Sequence, residues 1–159
     1  GEVDNPQWFP ATLHQAAVLH DIGKITVELS ILNKPASLDD EEYDRIKDHP
    51  LTGYRILEPI DFDEKIKSCV LQHHERIDGS GYPDGLAGED ILFEARVLAV
   101  ADAFDAMTTK RPYRNPLTIS EALSEMERCS GTQFDARIVQ VLTLVVHAMT
   151  TSGGVAMVQ

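Results

Sequence analysis

The segment Phe93 to Met107 sets Phe93, Val97, Val100 and Phe104 at helical spacing and places a carboxylate, Asp102, in the middle of the run. A helix of this kind packs stably only if another part of the fold comes to meet that carboxylate, because a buried charge without a partner is strongly destabilising. Leu98 and Asp105, four residues before and three after, share the face of Asp102. Asp105 reads either as a supporting group or as a helix-to-helix hydrogen bond. The partner of Asp102 has to come from elsewhere in the chain.

The remaining segments are also helical, and strand signals are weak. A helix is expected over Gln7 to His20, ending in Ala16-Ala17-Val18-Leu19, with Gly23 supplying the turn that follows. Ser30 to Pro35 reads as a loop. Ser37-Leu38-Asp39-Asp40 has capping-box spacing, with Glu41 and Glu42 in the first turn of a helix to about Leu57, bent or interrupted at Pro50. Asp63 to His74 is the next helix, with Ile66, Cys69 and Val70 on one face. Glu75 to Asp90, rich in Gly, Pro and Asp, is a long structured loop. Arg111 to Pro116 is another. Thr118-Ile119-Ser120-Glu121 caps a helix to about Cys129, Gly131 breaks it, and Asp135 to about Met149 forms the last. The fold class is therefore all-α, a helical bundle with side chains projecting inward from several helices. Residues 1–150 form one domain and 151–159 a frayed tail.

Composition narrows the function. The chain has 159 residues and 43% apolar side chains, enough for one packed domain. Its formal charge of −12 repels a nucleic-acid polymer and an anionic membrane. A small anionic ligand is still compatible, since metals and a few local cations invert the potential at one site. No apolar run approaches the length of a membrane span and no secretory leader is visible, so the expectation is a soluble, cytoplasmic protein. Cys69 and Cys129 lack a CxxC spacing and read as ordinary buried thiols.

His20-Asp21 stands where an apolar helix ends. Buried, such a doublet calls for a partner or a metal ion; alone, it reads as a helix-end Asp beside a core His. His73-His74-Glu75 ends another helix. Adjacent helical residues point about 100° apart, so the two imidazoles suit two metal ions, or one ion and one substrate oxygen; the plain reading is a solvated His pair. His49, in Lys47-Asp48-His49-Pro50, taken alone is a surface histidine at a helix end.

Together these segments resemble the HD-GYP family, a branch of the HD metal-dependent phosphohydrolases. The resemblance rests on His20-Asp21-Ile22-Gly23-Lys24, Ile31-Leu32-Asn33-Lys34-Pro35, His49-Pro50, His73-His74-Glu75-Arg76-Ile77-Asp78-Gly79-Ser80-Gly81-Tyr82-Pro83, Ala101-Asp102-Ala103-Phe104-Asp105-Ala106-Met107-Thr108 and Arg111-Pro112-Tyr113-Arg114. Gly131-Thr132-Gln133-Phe134-Asp135 fits a later segment of the family. The resemblance implies a cyclic di-GMP phosphodiesterase that makes pGpG, and in some cases GMP. It implies two or three divalent ions, commonly iron or manganese, held by His20, Asp21, His49, His73, His74 and Asp102. Asp21 would bridge two ions, and a hydroxide between them would attack phosphorus with the sugar 3′ oxygen leaving. Lys24 would contact the scissile phosphate and assist the leaving group; Arg111 and Arg114 match phosphate-contacting positions. Gly81, Tyr82 and Pro83 fix the loop beside the site, and in the family this surface is implicated in binding signalling proteins.

The pattern departs from the family in one respect. Relatives take a further His, and some a Glu, from a helix well upstream, whereas only 19 residues precede His20. His14 does not replace that ligand, since six helical residues turn the side chain by about 240°. The expectation is an N-terminally incomplete domain without its upstream regulatory domain, holding fewer ions, slow in turnover and prone to form a homodimer through an uncovered apolar flank. Two further readings stand beside the enzyme: a nucleotide-sensing or partner-binding module with little or no turnover, and an HD phosphohydrolase of another nucleotide.

Overall fold

Helix caps and breakers set the element order. The structure, a computed structural model, describes residues 8–110 and 115–151. Among these, helix α1 is Trp8–Leu19, followed by a 3-10 turn over Ile22–Thr26; α2 is Leu29–Leu32, α3 Asp40–Lys47, α4 His49–Leu57, α5 Glu64–Gln72, α6 Phe93–Thr108, α7 Ile119–Arg128 and α8 Ala136–Thr151. No strand occurs among them, only two isolated bridges, Asp78 with Ala87 and Ser130 with Phe134. None of the described helices is long and apolar enough to cross a membrane. The tail expected over 151–159 lies, beyond Thr151, outside the described residues.

Local chemistry accounts for most boundaries. Thr118 and Glu121 form the expected capping box on α7: each side chain accepts from the other's backbone N–H. On α3 the box sits two residues later than the sequence reading put it. Asp39 caps and Glu42 answers, because Asp39-x-x-Glu42 supplies the longer acidic side chain that reaches back to the cap N–H. The expected bend falls at Asp48, where α3 stops and α4 begins with Pro50 in its first turn, a position that needs no N–H. The loop expected over Ser30–Pro35 contains the end of α2.

Two apolar clusters hold the bundle. Ala16 of α1, Ile66 and Cys69 of α5, and Ala95 and Leu98 of α6 pack around Ile91. Val100 of α6 packs with Met126 of α7, and with Phe134, Ile138 and Val139 at the start of α8. Helix α6 is thus clasped from two sides, and its buried face differs from the expected one: Val100 is buried, but Phe93 is exposed at its N-terminus with Arg96 over its ring. A buried ion pair, Arg96 to Asp135 at 2.9 Å, ties α6 to the residue that opens α8. Breaking such a pair from one side costs about 3–5 kcal/mol. Both cysteines are free thiols, Cys69 buried and Cys129 half-buried. Burial, followed by the nearby Glu94, pushes the Cys69 thiol up to about 12.

Candidate metal centre

Three histidines stand at three helix ends, each tied to its own backbone in the same way. His20 follows α1, His49 follows α3, and His73 caps α5. Their Nδ1 atoms lie 2.7, 2.6 and 2.7 Å from the carbonyl oxygens of Ala17, Ile46 and Val70, each three residues back. Those carbonyls belong to the last turn of a helix, where the regular backbone ladder runs out. A carbonyl only accepts, so each Nδ1 donates, and each neutral ring presents the lone pair of Nε2 away from its own helix. His49 Nε2 and His73 Nε2 then face each other at 3.2 Å, two lone pairs at hydrogen-bond distance. Such a contact is stable with a proton or a cation between the rings and repulsive without one.

The carboxylates come from two other places. Asp21 opens the 3-10 turn, a geometry that eclipses residues three apart, and so sets Lys24 on top of it: Lys24 Nζ donates to Asp21 Oδ2 at 2.6 Å. Asp21 Oδ1 points inward, 3.4 Å from His49 Nε2, and is buried with no hydrogen-bond partner. Asp102 reaches in from α6, with Oδ1 3.7 Å from His20 Nε2. The partner that the sequence of α6 demands is therefore the histidine after α1. Gly23 permits this assembly: a Cβ on it would overlap the His49 carbonyl oxygen and stand 2.6 Å from Gly53 N, so the turn lies directly on the backbone of α4. The same contact covers His49, which is 1% exposed and not the surface residue its local sequence suggests.

His74 joins from beyond the end of α5. Because the helix stops at Gln72, His73 and His74 do not diverge as helical neighbours do; their ring centroids are 4.1 Å apart. One ligand atom from each of His49, His73 and His74 lies within 4.8 Å of the others, so these three could hold one ion together. The loop that follows is folded over His74. Tyr82 donates its N–H to the His74 carbonyl and stacks on its ring at 4.9 Å, and the Tyr82–Pro83 peptide is cis. A Cβ on Gly81 would overlap Arg76 N and lie 2.6 Å from Glu75 Cα, so the loop closes on itself there. Glu75, 4% exposed, holds the far side by accepting the N–H groups of Asp84, Gly85 and Leu86 at 2.8, 3.1 and 3.0 Å. A cavity of about 520 Å³ opens beside the centre, lined by His73, His74, Asp102, Tyr82, Tyr43 and Lys47 among others.

Charge in the centre is distributed accordingly. Burial pushes the Asp21 carboxyl up, but His49 and Lys24 outweigh it and hold it well below the usual range. The Asp102 carboxylate, 3.7 Å away, raises His20, and His20 in turn lowers Asp102. Burial, then the charge of His74, lowers His73 to about 2; burial, then His49, lowers His74 to about 4. A buried imidazole with a depressed folded pKa takes up its proton preferentially in the unfolded chain, so its stabilising effect is complete above about 6.5 and declines as pH falls toward the folded value. The raised His20 acts in the opposite sense and offsets part of this; Asp21 and Asp102 titrate below the window. Chelator-treated protein is therefore expected to lose on the order of 1–3 kcal/mol between pH 7 and pH 5. Thermal or urea unfolding at the two pH values checks this, and equal stability at both would remove His73 and His74 from the buried neutral state.

The structure brings six of the candidate residues together, His20, Asp21, His49, His73, His74 and Asp102, with Lys24 bonded to Asp21. Arg111 and Arg114 lie outside the described residues. Gly81, Tyr82 and Pro83 stand beside the centre rather than in it. Sequence reasoning missed Glu75 as the clasp of the loop, and Tyr43 and Lys47 as cavity walls; the four-residue spacing of the last two on a helix that ends just before His49 was the available signal. The donor set fits a transition metal: imidazole nitrogens with lone pairs turned to one point, and a buried carboxylate oxygen lacking any donor.

An HD domain family model matches residues 2–138. The chain is 46% identical over 132 residues to the cyclic di-GMP phosphodiesterase response regulator RpfG of Xanthomonas campestris, covering 82% of this chain and 35% of that protein. It is 41% identical over 147 residues to a cyclic di-GMP phosphodiesterase of Thermotoga maritima, covering 87% and 38%. It is 39% identical over 123 residues to the 3′3′-cGAMP-specific phosphodiesterase 3 of Vibrio cholerae, covering 77% and 27%. The chain thus spans about a third of the length of the curated relatives it matches. Among solved structures, an HDG"Y"P protein from Bdellovibrio bacteriovorus has the same fold, with a TM-score of 0.72 and 24% identity over 90% of this chain and 45% of that one. A metal-dependent family, a histidine cluster and the quoted sequence blocks agree: the chain belongs to the HD domain family, in its HD-GYP branch.

Proposed function

We propose that this domain is a metal-dependent phosphodiesterase of the cytoplasm that hydrolyses cyclic di-GMP to pGpG. The single observation that carries the reading is the facing of the His49 and His73 Nε2 atoms beside the partnerless Asp21 Oδ1, an arrangement of acceptors that a cation completes. His20, Asp21, His49, His73, His74 and Asp102 would hold two or three ions, iron or manganese by the family resemblance. Such ions supply water of lowered pKa and neutralise charge on the phosphate. The chain's own residues do the rest. The carbonyls of Ala17, Ile46 and Val70 fix the rings so that no ligand has to reorient. Tyr82 covers His74 and limits access of bulk water. In the reaction, water oxygen bonds to phosphorus, the bond from phosphorus to the sugar 3′ oxygen breaks, and that oxygen takes a proton. Lys24, bonded to Asp21 at 2.6 Å, is placed to stabilise the phosphate charge and the leaving oxygen.

The test is metal content per chain together with turnover of cyclic di-GMP, in the parent and in Lys24→Ala. Lys24→Ala should keep its metal and lose about 10²–10³ in turnover, the usual cost of removing one charge-stabilising group. Unchanged turnover at saturating substrate would make Lys24 a surface ion pair only. A parent that is loaded with metal and leaves cyclic di-GMP intact would favour the binding-module reading. Cyclic GMP-AMP belongs in the same assay, since relatives named for it are 35% to 39% identical to this chain.

A further inference from the structure

The cavity beside the centre carries a cation that the reaction above does not use. Lys47, in the last turn of α3, places Nζ 5.7 Å from the ring centroid of Tyr43 and 5.5 Å from that of Tyr82. Tyr82 in turn stacks on His74. The ammonium is thus fixed between two aromatic faces and joined to the candidate ligands through one ring. Cation–π contact restrains a long flexible side chain without consuming its N–H donors one for one. Its carboxylate neighbour, Asp44 at 3.6 Å, is 75% exposed and screened by water.

Among the described residues, Arg76 and Lys24 also stand near the centre. Arg76 also lines the cavity, with Nε 3.5 Å from Asp78 Oδ1. Lys24 is bonded to Asp21 and is not among the residues lining the cavity. Lys24 and Lys47 therefore serve different regions.

We propose that Lys47 is a positioning residue for the second, uncut phosphodiester of a cyclic dinucleotide. The proposal rests on the phosphodiesterase reading and adds a specificity element to it. A cyclic dinucleotide carries two phosphodiesters on opposite limbs of one macrocycle. While one lies at the centre, the other has to be accommodated in the adjoining space, where Lys47 is held between two aromatic rings. A substrate with one phosphodiester has no group for Lys47 to meet.

The experiment compares metal-loaded parent, Lys47→Ala and Lys47→Arg on cyclic di-GMP and on bis(p-nitrophenyl) phosphate, which has a single phosphodiester. Lys47→Ala should raise KM for cyclic di-GMP about tenfold or more, the cost of one charge-assisted hydrogen bond. Its effect on kcat should be small, its effect on KM for the single diester much weaker, and Lys47→Arg should restore most of the lost KM. Equal KM changes on both substrates, a fall in kcat alone, no change, or no rescue by arginine would overturn the proposal. Calorimetric binding of cyclic di-GMP separates the two readings. If the parent binds it without cutting it, the phosphodiesterase reading falls, and Lys47 must show its tenfold in Kd to survive. If the parent neither binds nor cuts it, both fall together.

Discussion

Asp21→Asn leaves the purified protein folded, depleted of metal and inactive. The amide carries no charge and is a poor ligand, so metal affinity should drop by more than the roughly 10–100-fold that follows loss of a mere outer partner of a ligand. Turnover of cyclic di-GMP should fall with it. The fold should be spared for a specific reason. In the parent, Asp21 Oδ1 is buried without a donor and faces the lone pair of His49 Nε2 at 3.4 Å. An asparagine NH2 at that point donates where the carboxylate cannot, which offsets the weakened contact with Lys24, so stability measured in chelator should stay close to the parent's. Elemental analysis, a turnover assay and urea unfolding in chelator distinguish the outcomes. A variant with full metal and full turnover would sink the bridging role, and one that is merely unfolded would show Asp21 to be structural.

Gly23→Ala should be the most damaging of the conservative substitutions near the centre. The added methyl meets backbone, the His49 carbonyl and Gly53 N, which no rotamer change relieves. The 3-10 turn would have to lift from α4, taking Asp21 and Lys24 with it and uncovering His49. Overpacking against side chains typically costs about 1–3 kcal/mol, and here the obstacle is stiffer. The neighbouring glycine provides the contrast: a Cβ on Gly53 meets Val70 Cγ1 at 2.9 Å, a side chain able to shift. The expected order in urea midpoint is parent, then Gly53→Ala, then Gly23→Ala, with metal lost from the last. Equal midpoints for the two variants would mean that the turn is not pressed on α4 as described.

What could be read in the sequence was whatever is determined within one turn or one helix. Thr118 and Glu121 announce their cap, and Ile66, Cys69 and Val70 announce a buried face, because the relevant partners lie within a few residues. Asp102 announced that it needed a partner but not which one; that is settled by the packing of α1 against α6. The burial of His49 was illegible for the same reason, since it depends on Gly23 crossing α4. Helix α6 misled because it is covered on two sides, which dilutes the periodicity that a one-sided helix displays. The gathering of six candidate ligands was suggested by family resemblance and not by spacing, since they come from helix ends and turns far apart in the chain. Tyr43 and Lys47 passed as part of an ordinary charged helix, and only the position of Tyr82, in the distant loop, makes them a clamp.

The histidines at the ends of α1, α3 and α5 bear on how long the protein lasts in a cell. Helix C-termini carry partial negative charge, and three of them end at the candidate ligands, so these elements are drawn together when a cation lies between them. An ion that binds only the folded form adds stability in proportion to the logarithm of its free concentration, about 2.7 kcal/mol at a hundred times Kd. That increment is a sizeable part of the margin by which a domain of this size stays folded. The survival of the chain against proteolysis should therefore follow the supply of free metal: cells starved of the ion would lose the protein itself, and not only its activity.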